Sequence, residues 1–329
     1  LFEMARMSEK VESTYAVSLW MLCTVSMYGF NRLATSVFPR PCALMLLQMA
    51  FSILCMTACW PTLHFGSRWD VFRWCLLMPF KVGSFLSGMA SLHYASTSCV
   101  IFLRALAPVL ACGFEIFYPK PLQVTSGMLV AMGVMLCAVS LYVLSAGHGH
   151  MMGVAWAILH TCCCTADQLI QRLLLSKHQR PVDISKTGAT LLNNFLGIIP
   201  VITVAAFTRE PAVAWLSVQT LSMEGYALIL LSCMVGAAVS FTGVWAQSAV
   251  SATSFLLFAN VSKFVIMLME AAFLGAEYKS LQVYAALIVI SSATTCSYAL
   301  EREQSAVKKP SKSELGSAAA SETTALLQR

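Results

Sequence analysis

The sequence predicts an all-α polytopic membrane protein, with ten transmembrane helices arranged as two inverted five-helix repeats. Three observations predict it. Of the 329 residues, 58% are hydrophobic and 11% charged, against roughly 45–50% and about 25% in an ordinary soluble domain. The apolar residues gather into ten runs, each close to the roughly 17–25 residues that a bilayer span requires. A weak internal match at a shift of 156 residues pairs the third and fourth runs with the eighth and ninth.

The ten runs occupy residues 15–38, 42–60, 71–90, 95–118, 122–144, 151–174, 187–207, 225–245, 251–274 and 281–299. They define a transmembrane domain at 15–300, with repeats at roughly 15–144 and 151–300. A cytosolic N-terminus precedes it at 1–14 and a polar tail follows at 301–329. The connections are short and leave no room for a separate soluble catalytic domain. Functional groups therefore lie within or between the helices.

Orientation follows from the basic residues, because Lys and Arg accumulate in cytoplasmic loops. Under alternating topology, Arg6, Lys10, Arg68, Arg73, Lys120, Arg172, Lys177, Arg180, Lys186, Arg302, Lys308, Lys309, Lys312 and Arg329 share one side. Arg40, Arg209 and Lys279 fall on the other. This 14 to 3 asymmetry predicts that both termini face the cytosol. It also accounts for the basic balance without a nucleic-acid partner.

The 13 cysteines show no ordered framework and mostly sit inside predicted helices, where free Cys behaves as a small buried hydrophobe. Gly147-His148-Gly149-His150 offers two imidazoles, an incomplete ligand set for a metal, and reads as a solvated turn. Neither metal nor cofactor is expected. With no basic-then-apolar leader ahead of the first run, insertion is expected to use the first helix itself.

The internal match lays FLSGMASLHYASTSCVIF at 85–102 over FTGVWAQSAVSATSFLLF at 241–258. Phe85/Phe241, Ala90/Ala246, Thr97/Thr253, Ser98/Ser254 and Phe102/Phe258 are identical. An odd number of helices per half inverts the second half in the membrane, the plan of many transporters with a central site.

Arg32, Lys81, Arg104 and Lys263 remain inside predicted spans. A charge at bilayer depth costs several kcal/mol unless paired or hydrated, so each is a candidate functional residue. Arg32 lies close enough to a helix end to snorkel. For Arg104 and Lys263 the competing explanation is structural pairing with Glu115 or Glu270. ATLLNNFLG at 189–197 sets Asn193 beside Asn194 in an otherwise apolar run. An unpartnered amide there costs on the order of 2–7 kcal/mol, so the pair needs partners or a polar cavity. Cations satisfy an anion such as phosphate, and amides present both donors and acceptors to a heterocycle edge. The residues therefore point to a transporter of an anionic, amide-recognised solute.

These same residues resemble a family, the Golgi nucleotide-sugar transporters of the drug/metabolite transporter superfamily, and within it the GDP-mannose transporter branch. The branch signature FYNN is matched by Leu191-Leu192-Asn193-Asn194, followed by Phe195-Leu196-Gly197-Ile198-Ile199-Pro200. The signature GALNK aligns with Ala259-Asn260-Val261-Ser262-Lys263, preceded by Ser251-Ala252-Thr253-Ser254. Asn31-Arg32 stands where the family tends to have Asn-Lys, and Tyr94, Arg104 and Glu115 follow its Tyr, Lys and Glu in register. The resemblance covers nearly the whole span from the first helix to the tenth. It implies that Asn193 and Asn194 contact the nucleobase and Lys263 the diphosphate. Asn31, Arg32, Arg104, Asn260 and Ser262 complete the substrate-binding set. In the seventh helix the aromatic of FYNN becomes Leu192. In the ninth, the Gly of GALNK becomes Ala259, which allows less close backbone approach, and its Asn becomes Ser262.

The implied function is antiport of a GDP-sugar such as GDP-mannose into the Golgi lumen, in exchange for nucleoside monophosphate. The alternatives are a UDP-sugar, a sugar phosphate or another organic anion on the same fold, and a receptor or scaffold without transport. An enzyme is not expected. No Walker-type run occurs, and Asp167, Glu115 and Glu270 form no paired-acid or metal-binding pattern. Expected partners are nucleotide sugar, nucleoside monophosphate and membrane lipid, with a homodimer as one option for assembly. The tail lacks the apolar content to fold. Its Glu322-Thr323-Thr324-Ala325-Leu326-Leu327 resembles an acidic dileucine signal read by sorting adaptors, which makes post-Golgi or lysosome-like membranes the alternative location.

Overall fold

The computed structural model describes residues 2–94, 100, 103–104, 106–115, 117, 125–145, 151–175, 181–210 and 217–274, with helical residues recurring within 280–295. Expectations for His148 and His150, for the tail with its Glu322–Leu327 motif, and for the side chains of Glu115 and Glu270 lie outside them. Every regular element among the described residues is helical. In chain order they are α1 (Phe2–Val37), α2 (Pro41–Ala58), α3 (Arg68–Cys75), α4 (Met78–Tyr94), α5 (Ala107–Glu115), α6 (Ser126–Ser145), α7 (Met151–Leu175), α8 (Lys186–Phe207), α9 (Met223–Ala249) and α10 (Ala252–Leu274).

Most limits fall where the apolar runs place them, and three do not; in the fourth run, 95–118, a turn at Leu106 precedes α5, which begins at Ala107. The first helix begins at Phe2 instead of residue 15, because the segment before it consists largely of Glu, Met, Ala, Arg, Ser and Lys, with neither Gly nor Pro to stop a helix. The third run is divided into α3 and α4 at Leu76–Leu77. Pro79 in the first turn of α4 has no N–H to give to a helix continuing from α3, and its fixed φ suits the start of a new one. Ser67 starts α3 with a capping box in which its hydroxyl accepts from Asp70 N–H while the Asp70 carboxylate accepts from Ser67 N–H.

Three helices, Pro41–Ala58, Lys186–Phe207 and Met223–Ala249, are long and apolar enough to cross a membrane, and shorter apolar stretches occur at Ser126–Ala138 and Ser254–Ile266. The outside of the bundle is the apolar side. Phe195, Ile199 and Ile202 are more than half exposed along one face of α8, at the spacing of one helical stripe. Leu129 and Val130 do the same on α6, whereas Gln48, Ser232, Thr165 and Asn260 are buried. A water-soluble monomer rarely exposes contiguous apolar patches beyond a few hundred Å². This is the surface of a membrane protein.

The two most extensive helix contacts are α4 with α7 and α1 with α9; α2 also packs on α8, α5 on α10, α1 on α10, and α5 on α7. Small residues allow the close approach usual between membrane helices. At Gly88 a Cβ would come within 3.0 Å of the His160 ring across the α4–α7 contact.

Each end of the bundle is tied by polar contacts between distant segments. At one end, Ser185 N–H donates to the His64 carbonyl at 2.9 Å and His64 N–H to the Ser185 hydroxyl at 3.0 Å. Nearby, Glu12 accepts from Lys186 Nζ at 3.3 Å and Trp245 Nε1 at 3.1 Å. At the other end, the Glu210 carboxylate accepts the backbone N–H groups of Cys42 and Ala43, filling the anion site of the α2 N-terminus. The Ser67 hydroxyl, more than any other group, holds the Asp70 carboxyl below its ordinary range, with a further hydrogen bond from the Asp183 backbone. The contribution of Asp70 is therefore present above the unfolded carboxyl value and is lost as pH falls through the folded one.

Gly66 sits at φ 61°, in the left-handed region, where an added Cβ would collide with the Asp183 carbonyl. Gly66→Ala is expected to cost about 1–3 kcal/mol and to loosen the 62–67 segment from 183–188. Hydrogen exchange at Ser185 checks this, since its amide loses protection if the two segments part.

Candidate functional site

Between α5, α7 and α10 lies a small cavity of about 20 Å³, partly open to the surroundings. The chain just ahead of α5 contributes Arg104, α7 contributes Thr161, Cys164, Thr165 and Gln168, and α10 contributes Lys263. Lys263 Nζ donates to Asn260 Oδ1 at 2.9 Å and, more weakly, to the Arg104 carbonyl at 3.5 Å. Arg104 Nη2 points at Cys164 Sγ, 3.6 Å away. Among the described residues no carboxylate lies within ion-pair distance of Lys263 or Arg104. Two cations thus face one small cavity, backed by an amide and a thiol, and what would neutralise them there is an anion. The space has room for little more than a water molecule, far below the roughly 300–1,000 Å³ of common small-molecule sites, so a solute of nucleotide size enters only when the helices separate.

Of the residues expected at the site, Lys263, Arg104 and Asn260 come together here. Ser262 is buried, and its hydroxyl donates to the Phe258 carbonyl of its own helix at 3.1 Å. Arg32 is exposed on α1, a placement that suits snorkelling. Asn31 belongs to a separate buried cluster between α1, α2 and α9, where its Oδ1 accepts from Gln48 Nε2 at 2.7 Å and from Ser232 Oγ at 2.9 Å.

The asparagine pair on α8 does not line this cavity. Adjacent helical residues point about 100° apart, and the two amides accordingly find different partners. Asn193 Oδ1 accepts from the indole N–H of the fully buried Trp74 at 3.1 Å. The Asn193 carbonyl lies 3.5 Å from Lys81 Nζ, which also feels the charge of Asp167 on α7. Asn194 Nδ2 donates to the Thr190 carbonyl of its own helix at 2.8 Å. Cys164 lies within interaction range of both Lys81 and Lys263 and so connects the two regions. Asn193→Ala strands a buried indole donor and is expected to cost about 1–3 kcal/mol. Asn194→Ala removes a bond to a carbonyl already within the helical ladder and is expected to cost less than about 1 kcal/mol. Thermal unfolding of the two purified variants separates these values.

Several side chains here lie outside the sequence-derived set. Thr161, Thr165 and Gln168 recur at helical spacing in an apolar run, a polar stripe that periodicity alone could have flagged. Gln48 and Ser232 carried no such signal, because only tertiary packing brings them to Asn31.

Fold and site together define an all-helical membrane protein with a buried cationic cavity. Comparison with known proteins agrees with this class. A GDP-fucose transporter 1 of Arabidopsis thaliana is 25% identical over 264 residues, covering 76% of this chain and 75% of the relative. A crystal structure of another protein, 14% identical, superposes with a TM-score of 0.59 over 90% of this chain and 99% of that one, so the fold is shared. No family model matches the sequence. The expectation that the chain is not an enzyme accords with a relative named as a transporter.

Proposed function

We propose that the chain is a nucleotide-sugar transporter, an antiporter that carries a GDP-sugar such as GDP-mannose into the Golgi lumen in exchange for nucleoside monophosphate. The observation that carries this reading is the meeting of Arg104 and Lys263 in a cavity inside the helical bundle with no described carboxylate to neutralise them. The GDP-fucose transporter among its relatives supports a nucleotide sugar as the solute. Asn193 and Asn194 are assigned to the base and Lys263 to the diphosphate, with Arg104, Asn260, Ser262, Asn31 and Arg32 as supporting residues. The Lys81 contact to the Asn193 carbonyl favours joining the amide and phosphate regions around Cys164 once the helices part.

The helix contacts support ten spans in two inverted repeats. Shifting each helix to its counterpart in the other half turns the α4–α7 contact into α9–α1, and the α5–α7 contact into α10–α1; α2–α8 and α5–α10 map onto themselves. A two-fold relation between halves has these consequences, and rocking one half against the other gives alternating access without ATP. The basic asymmetry favours cytosolic termini, and the tail motif a sorting adaptor. Tags at either end should be accessible to protease in sealed Golgi vesicles; protection of one end alone contradicts the even helix number.

Uptake of GDP-mannose, GDP-fucose, UDP-sugars and CMP-sugars into proteoliposomes preloaded with GMP, UMP or CMP tests the assignment. GMP should accelerate GDP-sugar uptake, and base discrimination should weaken in Asn193→Ala. A second reading, transport of a sugar phosphate or another organic anion, is favoured by one observation: neither asparagine lines the described cavity. Uptake of mannose 1-phosphate without dependence on internal nucleotide selects it, and absence of all uptake selects a receptor or scaffold.

A further inference from the structure

Beside its cations the cavity is lined by acceptors on α7. Thr161 Oγ1 donates to the Ala157 carbonyl at 2.8 Å and Thr165 Oγ1 to the Thr161 carbonyl at 2.7 Å. Both hydroxyl hydrogens are thereby committed, and what these side chains have left to offer is lone pairs. Gln168, one turn further along α7, has a buried Oε1 with no hydrogen-bond partner among the described residues. A buried amide oxygen without a partner costs free energy, and a native structure that keeps one beside a cavity is consistent with a ligand donor filling the position. In the same lining, Arg104 and Lys263 can only donate. An occupant that satisfies both kinds of group combines an anion with neighbouring hydrogen-bond donors. A simple anion such as pyrophosphate meets the first demand only. A sugar bonded through its phosphate meets both.

We propose that Thr161, Thr165 and Gln168 form an acceptor wall that reads the hydroxyl groups of a sugar directly bonded to the phosphate held by Arg104 and Lys263, with Gln168 as its specificity-determining residue. This rests on the anion-transport reading above and adds to it the chemical class of the neighbouring group. The hydroxyls can belong to the ribose of a nucleotide or to a hexose, and the probes distinguish these sources.

The test measures affinities of the purified full-length protein for inorganic pyrophosphate, GMP, 2′,3′-dideoxyguanosine monophosphate and mannose 1-phosphate. Gln168→Met keeps the length of the side chain and removes its acceptor. It should leave pyrophosphate binding unchanged and weaken binding of the hydroxyl-bearing probe about tenfold. If ribose is read, wild type prefers GMP to its dideoxy analogue by a similar factor and Gln168→Met abolishes that preference. If a hexose is read, the loss falls on mannose 1-phosphate instead. Deleting an unpartnered acceptor should also leave the ligand-free melting temperature equal or higher. Gln168→Glu retains acceptors but sets a negative charge beside the anion, and should weaken pyrophosphate binding.

Unchanged affinities of Gln168→Met for both hydroxyl-bearing probes overturn the proposal, as does an equal loss for every probe with a lowered melting temperature, which marks a structural role. Unchanged pyrophosphate binding by Gln168→Glu overturns it too, by placing Gln168 away from the anion. Failure of wild type to bind even pyrophosphate overturns the anion-transport reading itself, a result distinct from the others.

Discussion

Lys263→Ala is expected to abolish uptake while leaving the melting temperature of the ligand-free protein unchanged or raised. In the empty protein the ammonium donates to the Asn260 amide and the Arg104 carbonyl, two neutral oxygens, and the Arg104 guanidinium beside it repels it. Removing it deletes a desolvated charge and one side of a like-charge pair, and both changes relieve the empty state. What is lost is the attraction felt by an incoming phosphate. Lys263→Arg should retain weak activity, because a planar fork cannot occupy the place of a compact ammonium in a shaped pocket. If an acid were the true partner, alanine would strand a carboxylate at a cost of roughly 3–5 kcal/mol. Uptake and thermal unfolding measured on the same preparation decide between them, and a large fall in melting temperature would refute the phosphate role.

Arg172→Ala is expected to act in the opposite sense, on stability before transport. Arg172 lies in the last turn of α7, and its Nη1 donates to the Gln247 and Ser248 carbonyls at 2.6 and 2.8 Å. These groups close the C-terminus of α9, where carbonyls lack partners within the helix and a cation is favoured by the helix dipole. Hydrogen bonds to charged groups contribute about 1.5–3 kcal/mol each, so losing both should cost about 2–4 kcal/mol after partial rehydration. Arg172→Lys, with a charge but no rigid fork, should recover part of this. An unchanged melting temperature in Arg172→Ala would mean that water or another donor takes over both carbonyls.

The span limits were legible because burial in lipid demands long apolar runs, and those runs are visible in one dimension. The division of the third run at Leu76–Leu77 was signalled by Pro79 but outweighed by the apolar continuity around it. Side-chain direction was less accessible. Asn193 and Asn194 look like one functional unit in sequence, yet the helix turns between them, and Trp74 claims one while Thr190 claims the other. Arg172 shows how one residue type serves two physical purposes: it contributes to the charge asymmetry as a loop residue would, while the fold uses it as a cap. Lys263 and Arg104 were found because a cation inside an apolar run is conspicuous. Gln168 is less conspicuous, because the polar stripe it forms with Thr161 and Thr165 shows only when the run is read at helical spacing.

On the two-repeat reading proposed above, the joint between α3 and α4 makes the two halves mechanically unequal. The match of Phe85 with Phe241 sets α4 against α9, and α9 is one uninterrupted rod from Met223 to Ala249. Its counterpart has an elbow. On the near side of that elbow α3 is pinned, through the buried Trp74 indole, to Asn193 of α8. On the far side α4 lies along α7, the helix that carries the cavity wall. A swing of α4 and α7 can therefore pivot at Leu76–Leu77 with Trp74 as its fulcrum, whereas the equivalent swing of α9 with α1 has to carry the whole rod. If the halves rock about a two-fold axis as proposed, one lever is hinged and the other stiff, and the inward and outward strokes have different heights to climb.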